Sequence, residues 1–287
     1  MAQTNFDINN FIIDHVLRGT MVSTADGSVL WSLTQIKSPK LTMTSETVDA
    51  KDALGTKIMT FERAKEATFS AENAVFDLGL LAAQMGTSKK YSASDAKINT
   101  PAFEEITITQ AMLTANAVTL SHTPITATVG GSSVSSIVEI FKLNGDSTFG
   151  TKFVPVSTGT TATTGKFYNA AGSASIAIFA ANWAIGDRLF VMYEYAADAT
   201  AGNGSVAITN SATEFPSNGK FVMEVLGADV CDSTTKVYAY LIFPNCKLSS
   251  ATDLSFETEM TQALEISANQ NYCSAENELW SLIIPEA

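Results

Sequence analysis

Hydrophobic residues recur at every second position in many short runs of this sequence, which is the spacing of β-strands with one buried face. The alternation is clearest at Leu189, Val191 and Tyr193, and it returns in the segment KVYAYLIFPNCKL, residues 236–248. The second segment is apolar on both faces, so we predict a central strand or an intersubunit surface there. The pattern as a whole predicts a mainly β fold.

Two strands are predicted near the N-terminus, in the segments FIIDHVLRG and SVLWSLTQI. Residues 25–27, Ala-Asp-Gly, supply turn chemistry between them, so we predict a β-hairpin. Alternation resumes around Leu41 and again from Lys57, but the polar stretch SETVDAKDALG between them lacks it. This pattern predicts two further strands joined by a long mobile loop over residues 44–56.

A helix is predicted to begin near Ser70, whose hydroxyl can cap free backbone N–H groups, and to run through AENAVFDLGLLAAQM. Gly86 is placed to end this helix in a left-handed cap. Its apolar positions form a broad surface, which in a β-rich chain is expected to pack against a sheet. The side chains predicted to make that contact are Val75, Phe76, Leu80 and Ala83.

The central part of the chain consists of short apolar segments separated by turn residues. Asn144, Gly145 and Asp146 form one such turn. Short strands at this spacing predict a β-sandwich or barrel module between roughly Thr107 and Ala197.

The composition makes some functions less favourable than others. Lys and Arg total 17 against 29 Asp and Glu, so the net charge of −12 disfavours tight binding to nucleic acid. The chain is 46% hydrophobic and only 16% charged, which is typical of surfaces on which identical subunits pack closely. The N-terminal sequence does not resemble a secretion signal, and no apolar run reaches transmembrane length, so no membrane association is expected.

Candidate chemistry is sparse. His15 and His122 are far apart and have no cysteine or carboxylate at a ligand-like spacing, so no metal site is predicted. Cys231, Cys246 and Cys273 lack the spacing of a zinc site or a disulfide framework and are interpreted as small buried hydrophobic residues. Nucleotide-binding and hydrolase motifs do not occur, so we predict no catalytic residue, no cofactor and no enzymatic activity.

Several stretches resemble a known family. The N-terminal third contains DAKDALG, TFERAKEATFSAEN and an apolar helix ending in AAQMG, and the C-terminal third contains YLIFPNCKLSSATDLSFETEM and QNYCSAENELWSLIIPE. These stretches resemble the tail tube (major tail) proteins of tailed bacteriophages. The resemblance implies a β-sandwich or half-barrel flanked by one helix, with hexameric rings whose inner strands form a continuous barrel. It also implies rings that stack through a long loop.

On this resemblance the chain has three parts. Residues 1–104 and 206–287 are the two halves of a tube-like β domain. Residues 105–205 form a central immunoglobulin-like module, inserted or facing outward.

The resemblance also suggests roles for individual residues. The ring-stacking loop would present Thr44, Glu46, Val48, Asp49, Lys51, Asp52 and Leu54. A loop that becomes ordered only on the next ring would make stacking conditional on assembly. Glu257 and Glu259 are candidates for the lumen, where like charge would let DNA pass without adhesion, and a solvated outer face is the alternative.

The expected function is therefore that of a tail tube subunit. Its expected partners are copies of itself, other tail proteins such as the sheath or terminator and the tape measure, and passing DNA that is not bound specifically. It is expected in the host cytoplasm before assembly and in the virion tail afterwards. Two alternatives are a capsid decoration or other virion protein with an immunoglobulin-like domain, and a carbohydrate-binding or adhesin module suggested by the Thr/Ser/Gly-rich centre.

Overall fold

The computed structural model describes residues 11–129, 132–135, 139–156, 161–230, 236–251, 254, 260–270 and 277–285. In chain order the strands are β1 (Phe11–Ser23), β2 (Val29–Leu33), β3 (Ile36–Lys51), β4 (Lys57–Asn73), β5 (Lys90–Tyr91), β6 (Ile98–Thr107), β7 (Ala117–Thr119), β8 (Thr126–Val129), β9 (Ser132–Ser135), β10 (Glu139–Leu143), β11 (Phe149–Pro155), β12 (Lys166–Asn169), β13 (Ser175–Ile178), β14 (Arg188–Ala197), β15 (Val206–Ala207), β16 (Asn218–Asp229), β17 (Lys236–Leu248), β18 (Gln262–Ala268) and β19 (Ser281–Ile283). The helices are α1 (Leu78–Gln84) and α2 (Gln110–Ala115). The predicted mainly β fold is confirmed.

The chain divides into two compact units. Unit 1 comprises Met1–Lys89 and Ile208–Ala287, and unit 2 comprises Lys90–Ala207. Unit 2 is therefore inserted into the sequence of unit 1.

Unit 1 is built on one antiparallel sheet with the strand order β2-β1-β16-β17-β18-β4-β3. The sheet curls into the predicted half-barrel. The predicted N-terminal hairpin is confirmed as β1 and β2. The prediction of a central strand is confirmed for β17, which pairs with β16 on one side and with β18 and β19 on the other.

Aromatic residues fill the core of unit 1. The ring of Phe221 lies 5.3 Å from that of Phe69, 5.6 Å from that of Trp31 and 6.1 Å from that of Phe243. Leu80 of α1 is fully buried in the same cluster. Burial of each such side chain stabilises the fold by about 1.5 to 3 kcal/mol, so this cluster holds the helix on the sheet.

The helix begins later than its sequence predicts. Ser70 belongs to β4, which pairs with β18 on one side and with β3 on the other. Strand pairing on both sides outweighs the local tendency of Ser70 to cap a helix, so the predicted start is wrong. The N-cap is instead Asp77, whose Oδ1 accepts a hydrogen bond from the Leu80 N–H at 2.7 Å.

This shift changes the predicted sheet-packing residues. Val75 and Phe76 precede the helix and are exposed, so their assignment to its packing face is wrong. Leu80 is buried and Ala83 is half-buried against the same core. Gly86 has a φ of +69°, the left-handed conformation predicted for the end of the helix.

Buried amides anchor the helix to the sheet. Gln262 of β18 accepts a hydrogen bond from the Asp77 N–H at 3.0 Å and donates one to Gln84 Oε1 at 3.3 Å. Gln84 in turn donates to the Ala263 carbonyl at 2.8 Å. Because an unsatisfied buried amide is costly, this chain of bonds fixes α1 in one position.

The predicted mobile loop is also wrong. Residues 44–51 continue β3, and the ladder with β4 runs from Ile36 opposite Asn73 to Lys51 opposite Lys57. Only residues 52–56 form the connection. The stretch lacks a simple alternation because both faces of the hairpin are exposed, and core burial therefore imposes no pattern on it.

Unit 2 is built on a sheet with the strand order β6-β14-β10-β11-β12-β13-β7. Strands near both ends of this sheet contribute to one core, which contains Val118 of β7, Ile176 of β13 and Val191 of β14. At the boundaries of the unit, β5 pairs with β15, so Val206 lies opposite Tyr91. The strands β8 and β9 form a separate pair.

Two glycines with positive φ allow a matched test of packing in unit 1. A Cβ on Gly86 would lie 2.4 Å from the backbone carbonyl atoms of Phe215, whereas a Cβ on Gly27, at φ +73°, would meet nothing within 4 Å. We expect Gly27→Ala to lower the free energy of unfolding by about 1 to 2 kcal/mol through backbone strain alone. We expect Gly86→Ala to cost about 1 to 3 kcal/mol more, because the added carbon also clashes.

Urea unfolding followed by tryptophan fluorescence measures both effects. In a Trp183→Phe background, the remaining tryptophans, Trp31 and Trp280, both lie in unit 1 and report its transition. If Gly27→Ala and Gly86→Ala lowered the free energy of unfolding equally, the close approach of Gly86 to Phe215 would be contradicted.

Candidate assembly surface

The outer half of the β3–β4 hairpin, residues 46–63, is exposed at every position except the half-buried Ala50. We call this segment the ribbon. The inner part of the same hairpin joins the core of unit 1 through Ala67 and Phe69. The same two strands, β3 and β4, therefore pack into the core at one end and are exposed to solvent at the other.

The ribbon has two chemically different faces. Side chains of directly opposed residues in an antiparallel pair point to the same face. Val48 lies opposite Phe61, and Ala50 lies opposite Met59, which gives one mainly apolar face. The charged pair Glu46 and Arg63 lies at the inner end of this face. Exposure on this face is 43% for Val48, 46% for Phe61 and 54% for Met59. The ribbon is thus amphipathic, with its apolar side open to solvent.

The other face is mainly polar, except for Ile58, which alternates with Met59 along β4 and is 68% exposed near the turn. Thr47 lies opposite Glu62, and Asp49 lies opposite Thr60. Asp49 Oδ1 accepts hydrogen bonds from Lys57 Nζ and Thr60 Oγ1, both at 2.8 Å. The hydrogen bond from Lys57 holds the pKa of Asp49 below its usual value. Solvent screens these contacts, so their role is to tie the two strands together locally rather than to stabilise the subunit strongly.

The ribbon ends in a tight turn that carries one apolar side chain. Asp52 Oδ1 accepts hydrogen bonds from the Leu54 N–H at 2.9 Å and from the Thr56 N–H at 2.7 Å. Gly55 has a φ of +85°, which the turn requires. Leu54 is 92% exposed. The tip therefore presents a leucine on a turn of defined shape.

A bulge marks the inner end of the ribbon. The ladder shifts register between Thr44 and Glu46, and Ala64 on the facing strand has a φ of +47°. Bulges bend a strand pair and increase its twist. The direction in which the ribbon projects is therefore set at its junction with the sheet.

The predicted stacking residues all lie on this hairpin. Thr44 lies just inside the bulge, and the other six lie on the ribbon or its turn: Glu46, Val48, Asp49, Lys51, Asp52 and Leu54. The predicted lumen residues Glu257 and Glu259 lie outside the described residues.

Sequence reasoning missed the contribution of β4 to the ribbon. Met59 and Phe61 complete the apolar face, but neither is among the predicted stacking residues. The signal was their apolar character opposite Val48 and Ala50, which becomes visible only once the register is known.

A second surface of interest is the side of the sheet that faces away from the core at β4 and β18. Glu265 lies opposite Ser70, and Ala263 lies opposite Glu72. These side chains alternate with the buried Leu264 and with other core residues. The surface is polar and acidic.

The described cysteine and histidines do not form a reactive site. Cys246 is buried, as predicted, and its Sγ donates a hydrogen bond to the Gly219 carbonyl at 3.2 Å. Burial raises the pKa of its thiol to about 12. His15 lies beside Asp14, and the His122 ring stacks on Tyr195 at 4.0 Å. The described histidine, cysteine and carboxylate side chains do not gather into a group that could hold a metal ion.

Cys231 and Cys273 lie outside the described residues. None of the described helices has the length and apolar character needed to cross a membrane.

A mainly β half-barrel with a short flanking helix is the architecture that the resemblance to bacteriophage tail tube proteins implies. The model of the YomU/Tube protein family matches residues 11–277, and the chain belongs to this family. A comparison with curated proteins finds no match. Tail tube proteins are structural components of the virion tail rather than enzymes.

The two phenylalanines of β4 test whether the apolar face of the ribbon is free within the subunit. Phe69 is 1% exposed, whereas Phe61 lies on the ribbon. We expect Phe69→Ser to lower the free energy of unfolding by at least about 3 kcal/mol, because it removes a core ring. We expect Phe61→Ser to change it by less than about 0.5 kcal/mol. Urea unfolding of the unassembled subunit measures both, and a large loss for Phe61→Ser would mean that this face is already buried within the subunit.

Proposed function

We propose that this protein is a tail tube subunit whose copies form stacked, hexameric rings around a channel for DNA. The observation that carries the proposal is the amphipathic ribbon, which exposes Val48, Met59 and Phe61 on one face of a two-stranded hairpin. Membership of the YomU/Tube family supports it.

The ribbon needs a partner to bury its apolar face. A two-stranded hairpin has no second layer of its own, and an isolated hairpin is marginally stable in water. Full burial of a side chain such as Val48 or Phe61 contributes up to about 1.5 to 3 kcal/mol. A neighbouring copy that covers this face would gain that stabilisation, so the ribbon favours contacts between rings.

The sheet edges support ring formation. Among the described strands, β2 and β3 lie at the two ends of the sheet order. The inner part of β3 is protected against pairing, because Pro39 lacks an N–H donor and the register shifts between Lys37 and Lys40. This arrangement leaves β2 and the outer part of β3 for pairing with neighbouring copies. Closed rings would then remove both edges from solvent.

The polar side of β4 and β18 is the proposed DNA-facing surface. It carries Glu72 and Glu265 among small polar residues. Like charge reduces adhesion of the phosphate backbone, so DNA would pass without specific binding. We place Glu257 and Glu259 on the same channel surface as a proposal.

The remaining partners follow from this role. The subunit would be made in the host cytoplasm and join the virion tail on assembly. The ends and surfaces of the tube would contact other tail proteins, such as the sheath or terminator and the tape measure.

Removal of the ribbon tests the proposal. We expect a variant in which residues 47–62 are replaced by Asn-Gly to fold, because the deleted residues lie outside the core of unit 1. We expect it to form no tubes, since the apolar face and the tip are both absent. Negative-stain electron microscopy and light scattering measure assembly, and circular dichroism checks folding. Tubes of normal length from this variant would contradict the proposal.

Two double variants separate the faces of the ribbon. Val48→Ser with Phe61→Ser removes the apolar face and is expected to abolish tubes. Thr47→Ala with Thr60→Ala changes the opposite face of the same strands and is expected to leave tube formation intact. Similar behaviour of the two variants would show that the apolar face is not the assembly contact.

A further inference from the structure

A groove lies beside the base of the ribbon in unit 1. Its volume is about 450 Å³. The groove is lined mainly by Met43, Ser45, Lys65, Glu66, Leu279 and Trp280. Apolar side chains and two opposite charges therefore line one opening next to the bulge.

The groove is held in shape by the C-terminal segment. The indole Nε1–H of Trp280 donates a hydrogen bond to the Met43 sulfur at 3.3 Å. The next residues form β19, in which Leu282 pairs with Leu241 of the central strand β17. Trp280 is thus fixed on one side by the sheet and contacts the hairpin on the other, so the groove exists before any partner arrives.

The groove carries two charged side chains, Lys65 and Glu66, that form no ion pair with any residue that the structure describes. Both residues are exposed. A partner that carries an apolar side chain beside a base and an acid would match this groove in both shape and charge.

The tip of the ribbon has that composition. Leu54 projects from the turn with the exposed Lys51 and Asp52 beside it. The Asp52 carboxylate accepts two backbone hydrogen bonds and still has acceptor capacity for a cation. Lys51 therefore complements Glu66, and Asp52 complements Lys65.

The tip cannot occupy the groove of its own subunit. Residues 45–52 of a paired strand span roughly 23 Å at about 3.3 Å per residue. The ladder with β4 holds this part of the hairpin extended. The occupant must therefore come from another copy.

We infer that the ribbon tip of one copy docks into the groove at the ribbon base of a second copy, with Leu54 inserted beside Trp280. The inference rests on the proposed function and specifies its stacking contact. The two surfaces are different, so the contact is head-to-tail and repeats from copy to copy without closing on a pair. Such a contact produces an open stack. It also accounts for the charged residues at the tip, Lys51 and Asp52, and at the base, Lys65 and Glu66.

Photo-crosslinking tests the contact directly. The photoreactive amino acid p-benzoylphenylalanine replaces Leu54, and tubes assembled from a mixture of isotopically light and heavy subunits are irradiated. We expect mixed-isotope crosslinks from position 54 to residues 65–67 or 277–280. Tubes that form but crosslink only to other positions would overturn this inference and leave the proposed function standing. Failure of the unaltered protein to assemble at all would overturn the proposed function itself.

Charge reversal provides a second test if the bulky probe blocks assembly. We expect Lys51→Glu or Glu66→Lys alone to raise the critical concentration for assembly by about tenfold, because like charges would meet. The double variant restores the pair and is expected to assemble nearly as well as the unaltered protein. Lys89→Glu, an exposed charge reversal away from the groove, serves as the control. A double variant that assembles no better than the single ones would overturn the inference.

Discussion

Backbone pairing between β3 and β4 continues far beyond the core of unit 1. The chemistry of the exposed surface of unit 1 depends on this extension. Near Phe69 the two strands lie against the aromatic core, whereas at Phe61 no other described element covers the same strands. Pairing satisfies the hydrogen bonds of the backbone but cannot bury an apolar face. The free subunit is therefore fully folded, but it exposes an apolar face that a second molecule would have to bury.

The parts of unit 1 differ in how firmly they are fixed. Phe221 contacts three other aromatic rings, and the amide of Gln262 locks helix α1 onto the sheet. Past the bulge at Ser45, the contacts that hold the ribbon among the described residues are its own ladder and local polar contacts such as that of Asp49 with Lys57. A rigid base that carries a more deformable extension suits a contact that forms only when a neighbour is present.

The sequence predicts the features that depend on local pattern. The alternation around Leu241 identifies the central strand, and the Ala-Asp-Gly turn identifies the first hairpin. The predictions are wrong where pairing with residues that are distant in the sequence determines the local structure. Ser70 has the chemistry of a helix cap but pairs with Glu265, which is far away in the chain. Val48 lies in a polar stretch, and its role depends on Phe61 across the ladder, a register that the sequence alone does not reveal.

The short pairing of β5 with β15 brings the two ends of unit 2 side by side, with Tyr91 opposite Val206. A domain whose ends meet can be gained or lost without stretching the chain that carries it. Lys89 and Ile208 of unit 1 adjoin these strands, so a few residues would suffice to reconnect them. Deletion of unit 2 and direct joining of Lys89 to Ile208 would therefore leave every strand of the unit 1 sheet in the chain.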